Sequence, residues 1–288
     1  MPGFLTWTLR IAAGAALLLV LVAGAIFLRS EQILRTTYDV PLERFVAPRD
    51  AASIAEGERK AHILGCYQGC HGTEPGFEGR LLDESELGRV YAPNLTRVAA
   101  RESDAEIERT LRHGVRQDGT AVWEMPVDMF QHLSNEDLGE VIAFLRSRPL
   151  SEGPSQTIEP NIFWRWQMVK GEYTPYAPEL AQSSQHVLRP PATEPRALGR
   201  YLAMSVCSEC HGQDLHGAHR PGGAADLVMV AAYSLPAFTR LMRTGVPVSG
   251  RQLRLMDRVA LSRFSHFTDA EIAAVHDYLG ARARGEVE

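Results

Sequence analysis

The sequence contains only four cysteines in 288 residues, and all four lie in two short clusters. It also lacks an excess of basic residues. Its 30 Lys and Arg stand against 35 Asp and Glu, and the resulting formal net charge of −5 argues against nucleic acid as a partner. No phosphate-binding glycine loop, dinucleotide fingerprint or Ser-His-Asp sequence context is present. The cysteine clusters are therefore the strongest indication of function.

Both clusters combine two cysteines with an adjacent histidine. The second, Cys207–His211, has the spacing of covalent c-type haem attachment, and the first, Cys66–His71, has one extra residue between its cysteines. Two thiols on one turn form thioethers to the haem vinyl groups, and the histidine binds the iron. Disulfides in an exported protein, or a zinc site in a cytosolic one, are the alternatives. The residues predicted to attach haem are Cys66, Cys70, His71, Cys207, Cys210 and His211.

The N-terminus carries one long apolar run. Ile11 to Leu28 is uninterrupted over 18 residues and lies between Arg10 and Arg29. That length nearly spans the hydrocarbon core of a bilayer and exceeds a usual signal-peptide core, so residues 1–30 are predicted to be a membrane anchor. Removal at Ala23-Gly24-Ala25 is the alternative. Both clusters follow the anchor, which predicts a bacterial inner-membrane protein with its haem domains in the periplasm.

An internal repeat relates the two clusters. Each is preceded by a predicted helix with small residues four apart, Gly57 and Ala61 or Gly199 and Ala203, on one helix face. A middle helix ending in Gly-Val and a final amphipathic helix follow each cluster. The final helices, which start at Ser134 and Thr268, carry apolar residues at helical spacing. We expect these apolar residues to pack onto the small-residue faces.

A proline-rich stretch separates the repeats. Residues 151–194, with their immediate flanks, hold eight of the seventeen prolines and are predicted to be a linker. The segment Ile162–Val169 within it is too apolar for a free tether. We expect it to pack over a domain or a haem edge, and contact with a partner or with the membrane surface is the alternative.

The repeat also suggests the sixth iron ligands. Met125 lies eleven residues after Gly114, and Met256 lies eleven after Gly245, between the middle and final helices of each repeat. No other methionine pair keeps this register, which favours these two over core methionines. The remaining candidates are Met129, Met229, Met242, His113, His132, His216, His219 and His266, and the histidines are expected to be structural.

Over residues 50–150 and 195–284 the chain resembles class I cytochrome c domains in tandem. The resemblance rests on Val90–Thr96, Leu111–Gly119 and Met125-Pro126, a run similar to that of the dihaem and trihaem cytochrome subunits of bacterial membrane dehydrogenases. It implies an all-α fold with a first domain at 45–150 and a second at 195–288.

The resemblance also implies roles for individual residues. His71 with Met125, and His211 with Met256, would be the axial ligands of two covalently bound haem c groups. The carbonyl of Pro93 would accept a hydrogen bond from His71, and Pro221 is the candidate for this role in the second domain. The extra residue in Cys66–His71 leaves open whether both thioethers form there.

The expected function is electron transfer without a catalytic site. Partners would be other redox proteins of a respiratory chain, such as a dehydrogenase, a cytochrome complex or a terminal oxidase. A haem enzyme such as a dihaem peroxidase, with Glu124 beside Met125 as its acid-base group, is one alternative. A haem-based sensor is another.

Overall fold

The computed structural model describes residues 2–72, 76–85, 88–155, 157–181, 187–217, 223–253 and 255–287. Most of the described chain is helical, as predicted, but it also contains a small sheet. The helices are α1 (Pro2–Leu34), α2 (Ala51–Ile63), α3 (Leu95–Arg101), α4 (Asp104–His113), α5 (Val127–Phe130), α6 (Asn135–Ser147), α7 (Ile162–Lys170), α8 (Ala177–Leu180), α9 (Pro195–Leu202), α10 (Ser208–His211), α11 (Leu235–Thr244), α12 (Leu255–Ser262) and α13 (Asp269–Ala283).

Helix α1 extends beyond the apolar run at both ends. Within it, Thr6–Leu34 is long and apolar enough to cross a membrane by length and composition, and its most apolar window is not buried against the rest of the protein. The last turns of α1 pack against α7. There Arg165 binds the carboxylate of Glu31 at 2.9 Å and lies over the ring of Phe27 at 4.2 Å. The apolar helix is thus joined to the folded part of the chain at its C-terminal end.

The helix starts and stops follow the sequence signals. Ser103 with Glu106, and Thr268 with Glu271, form capping boxes at the starts of α4 and α13. Ser134 caps α6 in the same position. The middle helices α4 and α11 each end at a glycine in the left-handed conformation, a C-terminal signal that the Gly-Val pairs carry.

The final helices pack on the small-residue faces, as predicted. A Cβ atom on Gly57 of α2 would lie 1.9 Å from the carbonyl oxygen of Glu140 in α6, and one on Gly199 of α9 would lie 2.0 Å from that of Ala274 in α13. Real Cβ atoms do not approach a carbonyl oxygen this closely. Glycine is therefore what lets each pair of helix backbones come together.

A three-stranded antiparallel sheet is the main departure from the predicted all-α fold. Its order is β1 (Arg80–Ser85), β2 (Gly88–Ala92) and β3 (Ile158–Pro160), with β2 in the middle. The third strand belongs to the predicted linker. The linker is therefore part of the first repeat's structure rather than a free connection.

The apolar segment of the linker forms α7 and packs over the folded chain, as expected. Trp164 and Met168 are buried in a cluster with Trp123, which precedes the Met125 loop. Ile162 and Phe163 on the same helix are half exposed. Helix α7 therefore connects the end of α1 to the surroundings of Met125.

The first half of the chain (residues 45–150) and the second half (residues 195–288) share one continuous hydrophobic core. Equivalent residues make the polar contacts across it. Arg59 lies two residues after Gly57 and binds Glu271 at 2.8 Å, while Tyr201 lies two after Gly199 and donates to Asp137 at 2.7 Å.

These contacts relate the halves by an approximate twofold arrangement. Asp137 and Glu271 occupy the same position, the third residue of the final helix in each half. Arg189, from the linker, binds both carboxylates at 2.7 Å. The two repeats therefore face each other through corresponding surfaces.

Candidate haem-attachment sites

The first cluster, Cys66–His71, forms a wide turn directly after α2. Gly65 has a φ of 75°, in the left-handed region, and starts a π-helical turn over Cys66–Cys70. The His71 amide donates to the Cys66 carbonyl, a five-residue step that defines this turn. The wider turn accommodates the extra residue, so both cysteines and the histidine lie on one continuous turn.

The second cluster, Cys207–His211, is built differently. A π-helical turn over Ala203–Cys207 continues α9 and ends at the first cysteine, and Ser208–His211 form the single turn of α10. Both clusters therefore follow their small-residue helix directly. The longer spacing of the first cluster lies within a π-helical turn, whereas the second cluster starts at the last residue of such a turn and continues as α-helix.

Each cluster's histidine is oriented by a backbone carbonyl. His71 Nδ1 donates to the Pro93 carbonyl at 2.9 Å, and His211 Nδ1 donates to the Ala225 carbonyl at 2.6 Å. In both histidines the other ring nitrogen, Nε2, is therefore the one that can bind a metal ion. Burial lowers the pKa of His71 and of His211, which favours the neutral imidazole that binds metals.

The second-half carbonyl differs from the expected one. Pro221, the candidate from sequence, lies outside the described residues, and the contact is made by Ala225. A carbonyl acceptor needs no particular side chain, so the sequence carried no signal for Ala225. The use of Pro93 as a tuning partner of an iron ligand stays a prediction.

The four thiols are unpaired. None of the cysteines is in a disulfide. Burial raises the pKa of Cys66 and of Cys207 to about 12, so both are neutral thiols in apolar surroundings. Within the described ranges, no group of three or more His, Cys, Asp or Glu residues is arranged to hold a metal ion.

Met125 lies in the loop before α5 and lines a cavity of about 340 Å³ with Trp123, Tyr173 and Tyr176. Glu124, just before it, has a φ of 65° and is exposed at the surface. Glu124 also lines this cavity, and partial desolvation of its carboxyl, with the charge of Asp83, raises its pKa, so the acid-base role stays with the enzyme alternative.

Met256 lies in the first turn of α12 and packs, partly buried, against the main core. The two methionines thus lie at the same spacing after the glycine of the middle helix but differ in local structure. Their ligation of iron stays a prediction.

Most of the other candidate ligands have partners or positions that explain them without a metal ion. His113 Nδ1 donates to the Leu180 carbonyl at 2.8 Å, and His266 stacks on His62 with ring centroids 4.1 Å apart. His132 pairs with Gln213, and His216 with Asp226. Met129 and Met242 are buried in the core, Met229 is exposed, and His219 lies outside the described residues.

The residues fit covalently bound haem by the chemistry of their donors. Each cluster brings two unpaired thiols beside an imidazole whose Nε2 is available. Trp123 Nε1, Arg116 Nε and Arg263 Nη2 are among several buried nitrogens that have no hydrogen-bond partner among the described residues. A buried donor without an acceptor is unfavourable, and the propionates of a haem are acceptors. None of the three was singled out from sequence: Arg116 lies in the Leu111–Gly119 run but carried no assigned role there, and Trp123 and Arg263 lie outside the runs that support the resemblance.

Comparison with curated proteins finds dehydrogenase subunits at low identity. The chain is 26% identical over 175 residues to the cytochrome c subunit of quinone-dependent alcohol dehydrogenase from Gluconacetobacter polyoxogenes. It is 23% identical over 277 residues to the fructose dehydrogenase cytochrome subunit of Gluconobacter japonicus. It is also 26% identical over 225 residues to a subunit of nicotinate dehydrogenase from Pseudomonas putida.

These matches are partial. They cover 56%, 83% and 70% of this chain for the alcohol, fructose and nicotinate dehydrogenase subunits, respectively. The chain spans 36%, 54% and 18% of those relatives' own lengths. No family model matches the sequence.

Proposed function

We propose that this chain is a membrane-anchored dihaem c-type cytochrome that transfers electrons as a subunit of a membrane dehydrogenase complex. One observation carries the proposal. Both halves place two unpaired thiols next to a histidine whose Nδ1 donates to a carbonyl, at corresponding points of the repeat. Cytochrome subunits of dehydrogenases among the relatives support it.

Each residue has a defined task in this proposal. Cys66 and Cys70, and likewise the pair in Cys207–His211, hold a haem c covalently. The carbonyls of Pro93 and Ala225 keep their histidines oriented so that Nε2 faces the iron. Met125 and Met256 would supply the sixth ligand, which would raise the potential and close the iron to other ligands. Bound haem supplies one-electron chemistry, and the side chains make or break no bonds.

Helix α1 is the anchor in this proposal, with both halves on the periplasmic side. A dehydrogenase partner donates electrons, and a cytochrome complex or terminal oxidase accepts them. Confinement to the membrane restricts the search for partners to two dimensions. The contacts of Arg165 with Glu31 and Phe27 hold the haem domains close to the membrane surface.

The test is a haem count and a redox titration of the detergent-extracted protein. We expect two haems per chain by pyridine haemochrome, two components at positive potentials, and no carbon monoxide binding by the reduced form. The haemochrome band also reports whether Cys66 and Cys70 both form thioethers. A haem that binds carbon monoxide would contradict the carrier proposal and favour the enzyme or the sensor. Absence of covalent haem would exclude all three.

A further inference from the structure

Arg263 connects the two cysteine clusters. It follows α12 in the second half, is only 9% exposed, and reaches across to the first half. Its Nε donates to the carbonyl of Ile63, at the end of α2, at 2.8 Å. Its Nη1 donates to the carboxylate of Glu209, inside the second cluster, at 2.6 Å. One guanidinium therefore touches both segments that carry the haem-attachment residues.

The guanidinium lies directly against the backbone before the first cluster. A Cβ atom on Gly65, the residue before Cys66, would lie 3.0 Å from Arg263 Cζ. The third nitrogen, Nη2, is buried and has no hydrogen-bond partner in the part of the chain that the structure describes. A buried cationic donor with one unused nitrogen is expected to have an acceptor in the complete protein.

The charge of Arg263 reaches both attachment sites. Its guanidinium lies against Gly65, directly before Cys66, and binds the carboxylate of Glu209, directly before Cys210. The pair therefore lies within electrostatic range of both clusters.

The internal repeat does not account for Arg263. The stretch from Met125 to Ser134 contains no arginine or lysine, whereas the corresponding stretch from Met256 to Thr268 contains Arg258 and Arg263. Arg258 is exposed, and Arg263 is buried between the halves. A single buried charge that only one repeat supplies is suited to a role shared by the two halves.

We propose that Arg263 is a positioning residue shared by both haem sites, which holds the two attachment clusters together and raises the reduction potential of both haems. The proposal rests on the proposed function, because it requires two bound haems. A fixed positive charge in a poorly solvated interface disfavours the more positive, oxidised iron. The unused Nη2 is then the donor available to a haem group at this interface.

The experiment is optical redox potentiometry of the holoprotein, with variants matched in charge. Arg263→Gln should lower both midpoint potentials, and Arg263→Lys should restore part of the shift. Glu209→Gln should raise both midpoint potentials, because it removes the negative charge that partly cancels the positive charge of Arg263. Arg258→Gln, the same charge change at an exposed position on α12, should leave both unchanged. A merely structural role would not produce shifts of opposite sign.

The outcomes separate this inference from the proposed function. A wild-type protein without two haems contradicts the proposed function. Two haems whose potentials do not move in Arg263→Gln, or of which only one moves, overturn the shared role. Shifts in the same direction in Arg263→Gln and Glu209→Gln also overturn it. If Arg263→Gln does not accumulate with both haems, Glu209→Gln decides, and unchanged potentials there overturn the proposal.

Discussion

The histidines of the two clusters are held by carbonyl oxygens, and the two candidate methionine ligands lie on other segments of the chain. Because the attachment residues and the methionines lie on different segments, single substitutions can affect one group without the other. Loss of a methionine side chain leaves the thiols and the histidine untouched, because they lie on a separate turn after α2 or α9. Attachment and sixth-site ligation are therefore separable by mutation.

We expect Met125→Ala to retain its covalent haem, to lower the potential of that haem, and to open it to carbon monoxide. Met256→Ala should do the same to the other haem only. The physical reason is that an open sixth position accepts external ligands and loses the thioether that stabilises reduced iron. Spectra of the reduced protein with and without carbon monoxide check both variants.

Met229→Ala is the matched control, because Met229 is exposed. It should change neither haem. An unchanged haem spectrum in Met125→Ala would mean that Met125 is not a ligand.

Single residues also show where sequence-based prediction stops. Pro93 was predicted because a family resemblance includes it, and the hydrogen bond from His71 is present. Ala225 was missed because any residue provides a carbonyl. Arg263 was missed because its contacts lie on segments some 200 residues away, at Ile63, and 54 away, at Glu209.

At the scale of elements, two pairs of helix backbones lie in close contact. The α2–α6 and α9–α13 pairs approach so closely that Gly57 and Gly199 have no room for a methyl group. The obstructing atoms are carbonyl oxygens, which cannot rotate away as a flexible side chain does. These two positions should therefore be among the least tolerant in the protein.

We expect Gly57→Ala to destabilise the protein by about 1–3 kcal/mol, the usual range for overpacking a well-packed contact. Gly199→Ala should behave in the same way in the second half. Urea unfolding followed by far-ultraviolet circular dichroism measures the free energy of unfolding of both variants.

Gly280→Ala is the control, since a Cβ there meets only the flexible end of Arg284 at 3.3 Å. In a helix, this change should be neutral or stabilising. If Gly57→Ala and Gly280→Ala lowered the free energy of unfolding equally, the close approach of α2 and α6 would not be the cause of the loss at position 57.

At the scale of the whole molecule, the sequence indicated two similar halves but not how they meet. The helices, their caps and the Gly/Ala faces follow local patterns, which is why they were predicted. The contact between the halves depends on Arg59, Tyr201 and Arg189, none of which belongs to a repeating motif visible in one sequence. The sheet was missed for a similar reason, since Ile158–Pro160 pairs with β2 from a stretch whose composition indicates a linker.

The contact between the halves contains a carboxylate that should make the assembly sensitive to acid. Burial acts to raise the pKa of Glu271, but the hydrogen bonds and charges of Arg59 and Arg189 outweigh it and lower the pKa to about 2. The ordinary pKa of a glutamate in an unfolded chain is 4.5. Because the folded pKa is the lower one, this stabilisation is complete above about pH 5 and is lost as the pH falls toward 2.

We therefore expect Glu271→Gln to lower the free energy of unfolding at pH 7 by up to about 3 kcal/mol, as a shift of this size implies. The difference from wild type should shrink as the pH falls from about 5 to 2, because the wild-type carboxylate is then protonated too. Glutamine keeps the capping box of α13, because its amide oxygen still accepts from the Thr268 amide, and the change removes the charge and one of the two oxygens that accept from the arginines. Asp269→Asn, in the same helical turn but with a side chain 88% exposed, is the control for the helix dipole. A Glu271→Gln deficit that is the same at pH 7 and pH 3 would show that the ion pairs with Arg59 and Arg189 do not join the halves.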